Sequence, residues 1–131
     1  MPATLTIRDE TTAGQTLQEW ALGVLTERIT VRELIRSRVY QEVQDYNLRQ
    51  PEMFRGLVEP TDAERTLNGL KLRKGRQIDW KQQFDKAQEA FEKNQVLILI
   101  GDHQAESLDE EIEIKPETEA TFLRLVPLVG G

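Results

Sequence analysis

From Thr4 to Arg8 apolar and polar side chains alternate, with Leu5 and Ile7 on one face and Thr4, Thr6 and Arg8 on the other. That period of two predicts a half-buried strand. Asp9 to Gln15, with Thr11, Thr12 and Gly14, carries turn chemistry. Leu17 to Ile29 reads two ways: Trp20, Leu22 and Val24 alternate as a strand would, while Leu17, Trp20, Ala21, Val24 and Leu25 also fit a helical stripe. Gly23 in the middle tips the reading toward a strand. Thr30 and Glu33 then form a capping box, Ile29 and Leu34 are spaced as a hydrophobic staple, and Val31, Ile35, Val39, Val43 and Tyr46 line one helical face. A helix is predicted from Val31 to Asn47, ending before Pro51. If each large apolar side chain on that stripe contributes about 1.5 to 3 kcal/mol on burial, packing outweighs any single cap of about 1 kcal/mol.

Residues 51 to 79 lack a long period and contain Gly56, Pro60, Gly69 and Gly75, which predicts a loop-rich excursion. Thr61 and Glu64 form a second capping box, predicting one short helix within it. Asp79 and Gln82 open a further helix ending near Asn94, on which Trp80, Phe84, Ala87 and Phe91 recur at helical spacing. Residues 96 to 100, VLILI, are apolar throughout, the pattern of a central strand buried on both faces. Gly101 and Asp102 turn the chain. Ile112 and Ile114 stand between charged neighbours as a one-faced strand, a turn follows at Pro116 to Glu119, and Thr121 to Val126 alternates as a last strand. The order is strand, strand, helix, helical insertion, strand, strand, strand, in one domain of 131 residues with an insertion at 48 to 95.

Charge narrows the range of functions. There are 17 basic and 23 acidic side chains, a net of -6, so general binding to phosphate backbones, which needs clustered Lys and Arg, is disfavoured. With no cysteine and one histidine, thiolate catalysis, disulfides and Cys/His metal cages are excluded. No apolar run approaches the roughly 18 residues of a membrane span, and the first residues, MPATLTIRDE, lack a signal-peptide layout. The expectation is a cytoplasmic protein with no membrane or nucleic-acid partner and no bound cofactor or metal. Asp109 and Glu110, adjacent in a polar loop, show no sign of the desolvation that acid catalysis by paired carboxylates requires, so a glycosidase is rejected.

The most informative feature is the sequence Gly130-Gly131, directly after Val126-Pro127-Leu128-Val129. At average glycine usage, two consecutive glycines there arise by chance at roughly 0.5%. Lacking Cβ atoms, they can pass a narrow channel and present a carboxylate without hindrance. A carboxylate is a poor electrophile, so transferring it demands activation, for example as a mixed anhydride with adenylate, by a partner.

At these residues the chain resembles the ubiquitin-like β-grasp superfamily, especially the sulfur carriers of molybdopterin and thiamin synthesis, and bacterial ubiquitin-like modifiers. ERITVRELIRSRV resembles that family's strand-to-helix junction, DEEIEIKPETEATFLRL its penultimate turn and last strand, and VPLVGG its exposed tail. The likeness covers about residues 1 to 47 and 96 to 131. It implies an α+β fold: a mixed sheet, first and last strands paired in parallel, wrapped on the first helix. It also implies a non-enzymatic protein whose Gly131 is activated with ATP by an adenylating enzyme of the ubiquitin-activating type and transferred to a cysteine or to sulfur. Gly130 would give access, and Val126, Pro127, Leu128 and Val129 would be gripped by that enzyme. Conjugating enzymes, a protease and protein targets are further expected partners. The insertion at 48 to 95 exceeds a minimal sulfur carrier and favours a protein modifier, and the apolar Leu128 and Val129 point to a cognate activating enzyme.

Other features have plain readings. Trp80, Phe84 and Phe91 read as a helix covering the sheet, and His103 as a turn residue. Arg65, Lys71, Arg73, Lys74 and Arg76 read as a solvated loop, since no aromatic residues are interleaved for base stacking. The acidic stretch from Asp102 to Glu119 either steers the tail toward a basic groove or serves solubility alone. A different class of function stays open: a non-covalent binding or scaffold module with an inert tail.

Overall fold

The computed structural model describes residues 2–61, 63–66 and 69–125. In chain order these form β1 (Ala3–Thr11), β2 (Thr16–Val24), β3 (Arg28–Thr30), α1 (Val31–Arg49), β4 (Glu64–Thr66), β5 (Gly69–Lys71), α2 (Trp80–Glu92), β6 (Val96–Ile100), β7 (His103–Gln104), β8 (Glu111–Glu113) and β9 (Glu119–Arg124). The fold is α+β, with a five-stranded mixed sheet in the order β2-β1-β9-β6-β7. β1 pairs antiparallel with β2 and parallel with β9, and β9 pairs antiparallel with β6. The first and last strands therefore lie side by side in the middle of the sheet.

The segment from Leu17 onward is a strand. Leu22 and Val24 are buried in alternation while Leu17 and Leu25 are exposed, which the helical alternative would not produce. Asp9 to Thr11, read as turn, continue β1, and the reversal is confined to residues 12 to 15, where Gly14 takes a φ of 85°. The turn residues counted from Asp9 include three that still pair with a neighbouring strand: Asp9 with Phe122, Glu10 with Leu123 and Thr11 with Arg124.

The buried side chains of the sheet share one face: Leu5, Ile7 and Asp9; Leu22 and Val24; Val96 and Ile98; Ala120 and Phe122. With Leu34, Ile35, Val39 and Val43 of α1 the apolar ones form one core. The β6 run is accordingly buried on one face only, and Leu97 and Leu99 are half-buried on the other. α1 begins as predicted, with Thr30 Oγ1 accepting from the Glu33 N–H at 3.1 Å. Its next free donors are satisfied from outside: the Val31 N–H donates to the Glu110 carbonyl and the Arg32 N–H to that of Leu108. The helix runs two residues past Asn47 and closes on Gln50, which is left-handed and donates its N–H to the Tyr46 carbonyl.

The insertion departs most from expectation. The Thr61 and Glu64 pair does not open a helix. Glu64–Thr66 is instead a strand paired antiparallel with β5. Nor is the segment a detached excursion, since Phe54, Leu57, Leu72 and Ile78 join the core. On α2 the buried positions are Gln83, Ala87, Ala90 and Phe91. The stripe is rotated from the predicted one, leaving Trp80 and Phe84 half-buried, because α2 packs on α1, where Trp80 meets the Tyr40 ring edge-on at 5.4 Å. Among the described residues no helix is long and apolar enough to cross a membrane.

Candidate functional site

Asp9 continues the inward face set by Leu5 and Ile7, so a carboxylate enters the core. Arg38 and Glu42, on the inner side of α1, meet it there. Arg38 Nη1 and Nη2 donate to the two Asp9 oxygens at 2.5 and 2.6 Å, and Arg38 Nε donates to Glu42 Oε1 at 3.0 Å. Both Asp9 and Arg38 have fully buried side chains. The bidentate fork suits a desolvated pair, because each lone pair given up to burial regains a donor. The Arg38 guanidinium also stands 4.4 Å from the Phe122 ring centroid and 5.9 Å from that of Trp20.

β9 contributes the fourth charge. Arg124 Nη2 donates to Asp9 Oδ2 at 3.1 Å and to the Gly56 carbonyl at 2.9 Å. Gln18 Nε2 likewise bridges Asp9 Oδ2 and the Arg55 carbonyl, at 2.7 and 3.0 Å. The quartet thus ties β1, β2, α1 and the insertion to the end of the last strand. Glycine at position 56 leaves room for the Phe54 ring, which a Cβ there would overlap. That ring packs edge-on against Tyr46 at 5.4 Å.

The two carboxylates differ. Burial alone would raise Asp9, but the Arg38 guanidinium, with Gln18 and Arg124, outweighs it and holds the carboxyl below the usual range. Burial pushes Glu42 above the usual range, and Arg38 offsets this only in part. The Arg38 guanidinium holds its proton more tightly than usual despite burial, because Glu42 and Asp9 face it. Among the described residues, Glu42 Oε2 and Arg124 Nε are buried with no hydrogen-bond partner. Glu42 also lines a cleft of about 380 Å³, together with Gln18, Trp20, Asp45, Tyr46 and Phe54.

None of these four charged residues was singled out by the sequence reading, although a signal exists. Asp9 keeps the phase of Leu5 and Ile7, and Arg38 and Glu42 keep the phase of Ile35, Val39 and Val43. Opposite charges at core-facing positions are the mark of a buried pair.

The residues that the sequence did single out, Val126, Pro127, Leu128, Val129, Gly130 and Gly131, lie outside the described residues. The backbone is described to Leu125, whose N–H donates to the Gln95 carbonyl at 3.0 Å. In the acidic stretch, His103 forms part of β7, and its Nε2 stands 2.6 Å from Glu110 Oε2. The other Glu110 oxygen accepts from the Glu106 N–H at 2.8 Å, and that bond, with His103, holds Glu110 below the usual carboxyl range. Asp109 pairs with Arg32 at 2.5 Å, fastening this loop to the start of α1. In the basic stretch, the Arg76 side chain donates to the Thr61 carbonyl, and Lys71 lies in β5. Among the described residues no group of three or more His, Asp or Glu side chains is arranged to hold a metal ion.

No protein-family model matches this chain, and neither does any curated protein or solved structure compared with it.

Proposed function

We propose that this chain is a ubiquitin-like β-grasp protein, a protein modifier or sulfur carrier, whose Gly131 carboxylate is adenylated by a separate enzyme and passed on. The observation that carries the reading is the parallel pairing of β1 with β9 in the middle of the sheet, beside α1. β9 is bonded on both sides, to β1 and β6, and Arg124 is bonded to Asp9 and Gly56. Six residues then lead to Gly131.

The chemistry balances without help from this chain's side chains. One oxygen of the Gly131 carboxylate attacks the α-phosphorus of ATP, and pyrophosphate leaves. A thiol, amine or sulfur nucleophile then attacks the acyl carbon, and AMP leaves with the electron pair. The activating enzyme supplies the ATP site and the general base. Glycine at the last two positions keeps the acyl carbon accessible. The insertion offers recognition surface beyond what a small carrier needs, which favours the modifier branch.

A non-covalent binding module is the second reading, favoured by the cleft that the insertion helps to wall. Incubation with ATP and lysate of its own source separates the two. Adducts, or a mass shift of oxygen to sulfur, that vanish on deletion of Gly131 support transfer. Wild-type and Gly131-deleted chains that each keep their own unmodified mass would sink it and leave the binding module.

A further inference from the structure

The cleft beside the buried quartet has a composition that its structural role does not account for. Trp20, Tyr46 and Phe54 give it aromatic walls, and Glu19, Glu42 and Asp45 give it three carboxylates. Arg49 and Arg55 also line it, so its formal balance is one negative charge. Glu42 is the deepest of the carboxylates, its side chain only 10% exposed. Its use is lopsided: Oε1 takes Arg38 Nε, while Oε2 has no hydrogen-bond partner among the described residues. Asp9, by contrast, spends both oxygens, on two guanidiniums and the Gln18 amide. Arg38, which donates Nε to Oε1, gives Nη1 and Nη2 to Asp9 and so offers Oε2 nothing. Arg124, whose Nε is likewise buried without a partner among the described residues, acts on Glu42 by its charge and makes no hydrogen bond to it.

We infer that the cleft is a binding site for an alkylguanidinium group, held between the aromatic walls with its N–H donors on Glu42 Oε2 and Asp45. A buried acceptor without a donor is met by a guest that carries donors. Glu42 and Asp45 stand one helical turn apart on α1, the spacing at which two side chains reach one object. A guanidinium suits the site better than an ammonium because it is planar, weakly hydrated and stacks on rings. Arg38 already does this against Trp20 and Phe122. The volume, about 380 Å³, falls at the small end of the roughly 300 to 1,000 Å³ typical of ligand sites, enough for one long side chain. Because Oε2 is covered, entry requires the terminal torsion of Glu42, which is soft, to turn outward. The inference is independent of the tail chemistry proposed above.

The full chain carrying Trp80→Phe has Trp20 as its sole indole. Its fluorescence is to be followed against Nα-acetyl-arginine methylamide, its uncharged isostere Nα-acetyl-citrulline methylamide, and agmatine. A saturable response to arginine amide but not to citrulline amide is expected. Glu42→Gln should weaken it about tenfold, the loss of one charge-assisted hydrogen bond, and Asp45→Asn by less, with thermal midpoints confirming that both variants stay folded. Tighter binding of the amide than of agmatine identifies a partner's arginine as the natural guest, and the reverse a free small molecule. Equal responses to arginine and citrulline amides, no response, or undiminished binding in a folded Glu42→Gln chain would overturn it. Should Glu42→Gln not fold, Asp45→Asn and the citrulline comparison decide alone.

Discussion

Arg8 and Asp9 are neighbours on β1 that face opposite sides of the sheet, and each sits in a cluster of opposite charges. Arg8 meets Glu19 and Glu119, both at 2.9 Å, with the three side chains 31%, 50% and 46% exposed. Asp9 meets Arg38 at 2.5 Å with neither side chain exposed at all. The distances are similar, and the environments are not. At the surface, water competes for both partners and salt screens them, so removing one leaves a charge that simply rehydrates. In the core, removing one leaves a charge with nothing to solvate it. Burial, more than pairing geometry, should therefore decide how much each cluster matters to the fold.

The largest effect expected is that of Asp9→Ala. It strands Arg38, removes an acceptor from Gln18 and Arg124, and loosens the hold of β1 and the insertion on the end of β9. A loss of about 3–5 kcal/mol is expected in urea unfolding, much of the stability of a domain this size. A loss below about 1 kcal/mol would show that the quartet is wet in solution. Gly56→Ala should come next, at about 1–3 kcal/mol, because its methyl group must displace the Phe54 ring from Tyr46. Unfolding midpoints unchanged from wild type would mean that the segment around Gly56 does not pack as described.

The two buried carboxylates sharpen the comparison through pH. Asp9 has a lowered folded-state pKa, so its contribution is present above the ordinary aspartate value and is lost as pH falls through the folded value. Glu42 has a raised one. Its contribution is greatest below the ordinary glutamate value and is lost as pH rises through the folded value. Glu42→Gln, which keeps the neutral form at every pH, should therefore gain on wild type as pH rises through that window, by less than Gly56→Ala loses. Unfolding curves at several pH values test this, and a variant that loses ground as pH rises would reverse the assignment.

What the sequence made legible follows the same division. Where side chains obey one period and one solvent, the elements were readable: Leu5 and Ile7, the Thr30 cap, the stripe from Val31 to Tyr46, and Ile112 with Ile114. The parallel partnership of first and last strands came through the family resemblance, and no local pattern encodes it. The misreadings have local causes. Asp9 looked like a turn residue because aspartate is common in turns, yet its partner is 29 residues away. Thr61 and Glu64 have the spacing of a helix start, but Glu64–Thr66 pairs antiparallel with Gly69–Lys71, a partnership that capping spacing does not encode. The rotation of α2 depends on its packing against α1, which no window along the chain contains. The candidate cleft was invisible for the same reason, since its lining comes from β2, α1 and the insertion.

The smallest effect expected is that of Arg8→Ala, and it completes the comparison. Arg8 spans three strands, reaching Glu19 on β2 and Glu119 on β9 and passing 3.9 Å from Glu10. A geometric count of bonds would rank it close to Arg38. Its guanidinium is nonetheless in contact with water, and its removal leaves three exposed glutamates that hydrate and repel one another weakly. The thermal midpoint should fall slightly at low salt and recover toward wild type at about 1 M salt, where the screening length is about 3 Å. Asp9→Ala should keep its deficit at both salt concentrations, because ions do not enter the core. If instead Arg8→Ala keeps a deficit as large as that of Asp9→Ala at high salt, then the cross-strand network, and not burial, holds the middle of the sheet together.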